Sequence, residues 1–103
     1  MLKIYNLLGL MQRAGKLITG EDLITKNLKN KKIKLLVIAQ DCGINTKKKL
    51  IDKATFYGVN YIEFSDIENI SRAIGRDNRV ALGMTDDGFI KKFKQLLEEG
   101  GRL

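Results

Sequence analysis

A continuous apolar run from Leu35 to Gln40 (LLVIAQ) places the tightest constraint on the fold of this chain. The run is too short for a typical buried helix, and apart from its final glutamine it carries no polar residue. Because it lacks the polar and apolar alternation of a half-exposed strand, it is typical of a strand that is buried on both faces. A sheet that contains such a strand needs a helical layer on each side.

Helical and strand-like patterns alternate along the rest of the chain. Apolar residues at i, i+3, i+4 and i+7 predict a first amphipathic helix, made by Ile4, Leu7, Leu8 and Met11 and ended by "RAGK" (13–16). Further helices are predicted over about 21–30, 46–57, 65–75 and 88–99, strands over 17–19, 60–64 and 79–85, and fraying at "GGRL" (100–103). This order predicts an α/β fold, namely a three-layer α/β/α sandwich with a mixed sheet of about four strands. With 103 residues, the chain is expected to form one domain over 1–103.

The residue types limit the chemistry that is available. The chain has one cysteine, Cys42, and no histidine, so an internal disulfide is impossible and Cys42 is expected to be a small buried residue in a reducing, cytoplasmic protein. No glycine-rich nucleotide motif is present, and acid–base work would fall to carboxylates such as Asp41, Asp86 or Asp87. The segment "TDDGF" (85–89) fits a paired-carboxylate metal site or a helix N-cap, and the cap is favoured. The sequence therefore predicts a protein that is not an enzyme, with no cofactor, no metal and no small-molecule substrate.

The distribution of charge points to a polyanionic partner. The net charge is +7, and residues 1–53 carry twelve basic and four acidic side chains while residues 54–103 carry seven and eight. Nucleic acid is the first candidate partner and an anionic membrane surface the second. No apolar run approaches the roughly 20 residues of a membrane span, so insertion into a membrane is not expected.

The second helix, which opens with "GEDLITK" (20–26), raises a question because it begins with two acids in a basic chain. Helical geometry places Leu23, Ile24 and Leu28 on one side and Asp22, Lys26 and Lys29 on the other. The acids have two interpretations. They complement the helix macrodipole, with support from an Asp22–Lys26 pair at i, i+4, or they present acceptors to base edges of a nucleic acid.

Two segments resemble a known family. Residues 8–50, with "RAGKLITGED" and "TKKKL" as their most specific parts, and "ISRAIGRDNRVALGMT" (70–85) are similar to the kink-turn RNA-binding ribosomal protein family of archaeal L-seven-Ae. Within that family the chain most resembles the stand-alone bacterial YlxQ-type members. The resemblance implies an α/β/α sandwich whose second helix enters the groove of a kinked RNA and whose loop before the last strand packs on an extruded nucleotide.

The resemblance also implies roles for individual residues. The family helix carries Gly-x-Asn-Glu-x-x-Lys, and Gly20, Asp22, Leu23 and Lys26 occupy its four specified positions. Asp22 keeps an acceptor but loses the amide donor of asparagine, and Leu23 cannot accept a hydrogen bond from guanine. The polar loop Arg76–Val80 stands where the family has an apolar one.

The remaining lysines are expected to position RNA through its phosphates, and Lys34 belongs to the same acid-free cluster as the lysines at 31 and 32. The complete set of predicted RNA-binding residues is Lys16, Gly20, Glu21, Asp22, Lys26, Lys29, Lys31, Lys32, Arg76, Asn78, Arg79 and Val80. On the third helix, Lys49, Lys53 and Phe56 form a stacking platform in one interpretation and a solvated helix face in the other, favoured one.

The predicted function is that of a non-enzymatic module that binds structured, kink-turn-like RNA. The target is expected to be ribosomal or non-coding RNA, with ribosome association as a further expectation. The alternative is a protein-interaction or regulatory module of the same fold whose basic surface binds anions in general.

Overall fold

The computed structural model describes residues 2–100, and helices and strands alternate along them. The elements are α1 (Leu2–Arg13), β1 (Leu17–Thr19), α2 (Glu21–Lys29), β2 (Leu35–Ile38), α3 (Ile44–Phe56), β3 (Asn60–Glu63), α4 (Ile67–Ala73), β4 (Ala81–Met84) and α5 (Asp87–Gly100). Every predicted helix and strand is present. The boundaries differ by at most two residues: α3 begins two residues earlier than predicted, β4 begins and β2 ends two residues inside their predicted ranges, and α4 is two residues shorter at each end. Gly100, predicted to fray, still belongs to α5. The rest of the predicted frayed end, 101–103, lies outside the described residues.

The four strands form one mixed sheet in the order β1-β4-β2-β3, which confirms the predicted sheet. Strand β2 runs parallel to β3, whereas β4 runs antiparallel to both of its neighbours. Strand β1 lies at the edge and pairs with β4 through Leu17↔Met84 and Thr19↔Leu82. Within the described residues, no strand pairs with the outer edge of β1.

A helical layer covers each face of the sheet, as the apolar run in β2 predicts. Leu35 and Val37 belong to a core with buried residues of α1, α4 and α5. Leu36 and Ile38, which alternate with them along the strand, belong to a second core with buried residues of α2 and α3. The fold is therefore the expected three-layer α/β/α sandwich.

The prediction that Leu23 faces inward with Ile24 and Leu28 is wrong. Ile24 and Leu28 are buried, but the Leu23 side chain is 55% exposed. Two buried positions at i and i+4 are sufficient to hold a short helix such as α2 against the sheet, and Leu23 lies one helical step of 100° away from Ile24. Leu23 therefore belongs to the accessible face of α2.

Two carboxylates cap helices. Asp66 precedes α4, and its side chain accepts hydrogen bonds from the backbone N–H of Asn69 at 2.7 Å and from Asn69 Nδ2 at 2.9 Å. Asp86 precedes α5 and accepts from the backbone N–H of Phe89 at 2.9 Å. The cap interpretation of "TDDGF" is therefore confirmed for Asp86, while Asp87 forms an ion pair with Lys34 Nζ at 2.9 Å.

We expect Asp66→Ala to lower the free energy of unfolding by about 1 kcal/mol, because it leaves the backbone N–H of Asn69, in the first turn of α4, without its side-chain acceptor. Asp66→Asn retains an acceptor oxygen at the same position and is expected to lose less. Urea denaturation of both variants tests this prediction, and equal losses for alanine and asparagine would contradict the capping role.

Cys42 is buried, 6% exposed, in the core between the sheet and the α2–α3 layer. Its burial agrees with the expectation for this residue, and burial raises the pKa of its thiol. In the described part of the chain, no three or more side chains of the metal-ligating types cluster together. None of the described helices is sufficiently long and apolar to cross a membrane.

Candidate nucleic-acid interface

The start of α2 depends on the backbone conformation of Gly20. This residue follows β1, occupies the N-cap position with φ +92° and ψ 132°, and accepts the first helical hydrogen bond from Ile24 N at 2.9 Å. A side chain is strongly disfavoured in this region of φ and ψ, so the turn from β1 into α2 requires glycine. A Cβ atom at Gly20 would meet no atom within 4 Å, so the space beside this backbone is open to a ligand.

The residues around Gly20 form a pocket of about 220 Å³, which we call the α2 pocket. It lies between the start of α2, the helix α3 and the segment that leads into β4. Its lining residues are Gly20, Glu21, Ile24, Thr46, Leu50, Asn78, Arg79, Val80 and Ala81. The fold therefore brings together five of the predicted RNA-binding residues, which come from two distant stretches of the sequence.

The 76–80 loop is fixed to α4 by a buried serine. Ser71 Oγ accepts a hydrogen bond from Arg79 N at 2.7 Å and donates one to the Arg79 carbonyl at 3.3 Å. Asn78, one residue earlier, has a left-handed backbone with φ +52°, which asparagine tolerates better than most residues. These contacts hold the backbone of Arg79 at the edge of the α2 pocket.

The Arg79 side chain has an unsatisfied donor. Its Nε atom is buried and has no hydrogen-bond partner among the described residues. A buried N–H without an acceptor costs about 1–3 kcal/mol. Because this atom is buried, a ligand oxygen reaches it only when the Arg79 side chain moves.

The two acids at the start of α2 have different environments. Glu21 Oε1 lies 3.4 Å from Lys49 Nζ, so this carboxylate is partly neutralised by α3. Asp22 is exposed and forms no ion pair with Lys26 in the described structure. Of the two acids, Asp22 is therefore the one whose acceptor is free for a ligand.

The outer face of α2 carries the remaining residues of the sequence motif. Lys26 and Lys29 are exposed beside Leu23. Lys16 is also exposed, and its backbone carbonyl accepts hydrogen bonds from Thr85 N and Thr85 Oγ1, both at 3.2 Å. None of these three lysines lines the α2 pocket.

The residues of the alternative stacking platform on α3 have different surroundings. Lys49 reaches toward Glu21 on α2, whereas Phe56 at the other end of α3 is 80% exposed. Phe56 makes an edge contact with Tyr57, with ring centroids 5.0 Å apart. A role of Phe56 in stacking stays a prediction.

A second and larger concavity follows the free edge of β1, and we call it the β1-edge groove. Its volume is about 740 Å³. It is lined by Gln12, Gly15, Leu17, Ile18, Thr19, Leu23, Asn27, Lys31, Lys32, Lys34, Arg76 and Thr85. Sequence reasoning selected Lys31, Lys32 and Arg76 but missed the polar residues Gln12, Asn27 and Thr85, because strand pairing brings them together and no local motif marks them.

Comparison with known proteins adds a family and several relatives. The model of the ribosomal protein L7Ae/L30e/S12e/Gadd45 family matches residues 2–94. The RNA-binding protein YlxQ of Enterococcus faecium is 45% identical over 96 residues, which cover 93% of this chain and 92% of that protein. The RNA-binding protein YlxQ of Bacillus subtilis (strain 168) is 39% identical over 94 residues, which cover 91% and 94% of the two chains.

Two solved structures are similar as well. A protein of unknown function from Bacillus halodurans C superposes with a TM-score of 0.85 and 38% identity, over 93% of this chain and 97% of that one. The 15.5kD RNA binding protein of Giardia lamblia superposes with a TM-score of 0.73 over 95% and 84% of the two chains. Its identity is 17%, so this second likeness shows the shared fold alone.

Proposed function

This chain belongs to the ribosomal protein L7Ae/L30e/S12e/Gadd45 family, and we propose that it is a non-enzymatic RNA-binding protein that recognises structured, kink-turn-like RNA. In this proposal the chain is one RNA-binding domain of a cytoplasmic protein, and its target is ribosomal or non-coding RNA. The observation that carries the proposal is the α2 pocket, where the glycine at the start of α2 faces the polar loop before β4.

The α2 pocket supplies the contacts that an RNA backbone and an unstacked nucleotide need. The start of α2 offers backbone N–H groups that no side chain caps, and a helix N-terminus favours a phosphate or another anion. Gly20 leaves room for close approach, and Arg79, which also lines the pocket, adds a positive charge beside it. Sequence-specific RNA recognition usually targets bases that are splayed out of the helix.

The altered centre of the motif affects which RNA is preferred. Asp22 and Leu23 are both exposed on α2, at the positions where the resemblance implies asparagine and glutamate. A leucine offers no acceptor to a guanine N–H, and one polar base contact contributes about 1–3 kcal/mol of discrimination. We therefore expect this protein to discriminate less strongly between bases at the positions that face Leu23 than a protein with glutamate there.

The proposed function is tested with three RNAs: a kink-turn RNA, a plain duplex of equal length and a single strand. Dissociation constants are measured for each across a salt series. The kink-turn RNA is expected to bind most tightly at every salt concentration, because it alone presents a widened groove and an extruded nucleotide to the α2 pocket. Equal affinities with identical salt dependence would overturn the proposal and leave a merely basic surface.

We expect Lys26→Ala to weaken kink-turn RNA binding about tenfold while weakening duplex binding less, because a lysine at a base edge adds about 1–3 kcal/mol of discrimination. Lys91→Ala is the matched control, since Lys91 is an exposed lysine on α5, in the opposite helical layer. The control is expected to change both affinities slightly and equally. A Lys26→Ala loss that is the same for kink-turn and duplex RNA would show that this face of α2 does not read the RNA.

A further inference from the structure

Apolar and cationic residues both line the β1-edge groove. Its lining residues include the apolar residues Leu17, Ile18 and Leu23 and the four cations Lys31, Lys32, Lys34 and Arg76, and they include no acid. Lys34 is paired with the exposed Asp87. In the described part of the chain, no ion pair occupies Lys31, Lys32 or Arg76, so three cations are free to meet an anion.

The turn that carries two of these cations is fixed in place. The backbone carbonyl of Asn27 accepts hydrogen bonds from Lys32 N at 3.1 Å and from Ile33 N at 3.2 Å. Asn30 Oδ1 accepts from Lys32 N at 3.1 Å, and Lys34 N donates to the Met84 carbonyl at 2.8 Å. The turn is therefore attached both to α2 and to the sheet, and it holds Lys31 and Lys32 at the groove.

The groove continues directly from the α2 pocket. Thr19 lines the groove and the next residue, Gly20, lines the pocket. On the opposite side, Arg76 lines the groove while Asn78–Val80, in the same loop, line the pocket. An RNA strand that leaves the pocket between α2 and this loop therefore meets the edge of β1 and the cations of the groove next.

We propose that the β1-edge groove binds a short single-stranded extension of the RNA that occupies the α2 pocket. The phosphates lie toward Lys31, Lys32 and Arg76, and the bases lie against the outer edge of β1, beside Leu17 and Ile18. The three residues of β1 span roughly 10 Å at about 3.3 Å per residue, which matches about three stacked nucleotides. This inference rests on the proposed function, because it concerns RNA that is already held at the α2 pocket.

The experiment compares a blunt-ended kink-turn RNA with versions that carry a three-uridine overhang at each strand end in turn. The measured quantity is the ratio of the blunt to the overhang dissociation constant. Two lysine–phosphate contacts on single-stranded RNA change log K by about 1.4 per log unit of salt, so Lys31 and Lys32 alone are expected to tighten binding of one overhang about tenfold at physiological salt. Crosslinking of 4-thiouridine in that overhang is expected at residues of the groove.

The test variant is the double substitution Lys31→Asn and Lys32→Gln. Asparagine suits position 31 because Lys31 has φ +64°, so both charges are removed without new backbone strain. The ratio is expected to fall about tenfold in this variant and to stay unchanged in the control Lys91→Gln with Lys92→Gln, since both controls are exposed on α5. Gln12→Glu, which places a carboxylate in the groove from α1, is a second variant that is expected to lower the ratio.

Each outcome decides the proposal. If no overhang tightens binding, or if the ratio survives loss of both lysines, the groove is not an RNA site. If hexaglutamate displaces the overhang with the same efficiency as hexauridylate, the groove binds an acidic peptide and the inference is overturned. Failure of the proposed function has a different signature, because the blunt kink-turn RNA would then bind no better than plain duplex.

Discussion

Gly83→Ala is expected to lower the free energy of unfolding by about 1–3 kcal/mol, because the added methyl group overpacks a filled core. A Cβ atom at Gly83 would lie 2.5 Å from Cδ1 and 2.8 Å from Cγ1 of Ile33. Ile33 is 1% exposed and belongs to the core between the sheet and the α2–α3 layer. Its side chain therefore has little space into which it can move, and urea denaturation measures the resulting loss.

A double-mutant cycle with Ile33→Ala isolates this contact. Ile33→Ala alone is expected to destabilise the protein by about 2–5 kcal/mol, because it leaves a cavity. In that background the further change Gly83→Ala is expected to cost much less, since Cγ1, Cγ2 and Cδ1 of Ile33 are gone. The same cost in both backgrounds would show that the Gly83 requirement has another origin.

Gly83 also connects the core to the β1-edge groove. It pairs with Ile18 of β1 and with Leu36 of β2, and Ile33 packs over it at the end of the turn that carries Lys31 and Lys32. A side chain at position 83 would push this turn away from the sheet. The absence of a Cβ atom at Gly83 therefore helps to place Lys31 and Lys32 at the groove.

The layers of the fold could be predicted because local periodicity determines them. The run Leu35–Gln40 has no polar alternation, and both of its faces are buried in separate cores. Leu23 was misplaced because a helical wheel assigns an apolar residue to the inner face without knowing how many positions the sheet can cover. The short helix α2 needs only Ile24 and Leu28 for its packing.

Some features of the site could likewise be predicted from the sequence, and others could not. Gly20 and Asn78–Val80 were selected from sequence similarity, and the structure brings them to one pocket. Neither the Glu21–Lys49 pair nor the unsatisfied Nε of Arg79 could be predicted, because both depend on how separate elements pack. The groove was also missed as a unit, since its lining comes from α1 and the turn after it, β1, α2, the 31–34 turn, the 76–80 loop and Thr85 after β4.

Replacing Gly20 by alanine is expected to weaken kink-turn RNA binding about tenfold or more and to lower the free energy of unfolding by about 1–3 kcal/mol. The combination of φ +92° and ψ 132° at this position strongly disfavours any residue with a Cβ atom. No atom lies within 4 Å of that Cβ position, so the penalty comes from the backbone and not from a clash. Relief of the strain would rotate the first N–H groups of α2 away from the pocket, and the methyl group would also occupy space that the proposed RNA approaches.

Gly58→Ala separates loss of stability from loss of the site. Gly58 has φ +71°, follows α3, and likewise has no atom within 4 Å of its Cβ position. It is absent from the lining of the α2 pocket and of the β1-edge groove. Alanine at position 58 is therefore expected to destabilise the fold through the same kind of backbone strain while leaving the affinity for kink-turn RNA unchanged, as measured below the unfolding transition of both variants. If both glycine variants weakened RNA binding equally, general destabilisation would account for the effect, and the Gly20 backbone would lose its assigned role at the start of α2.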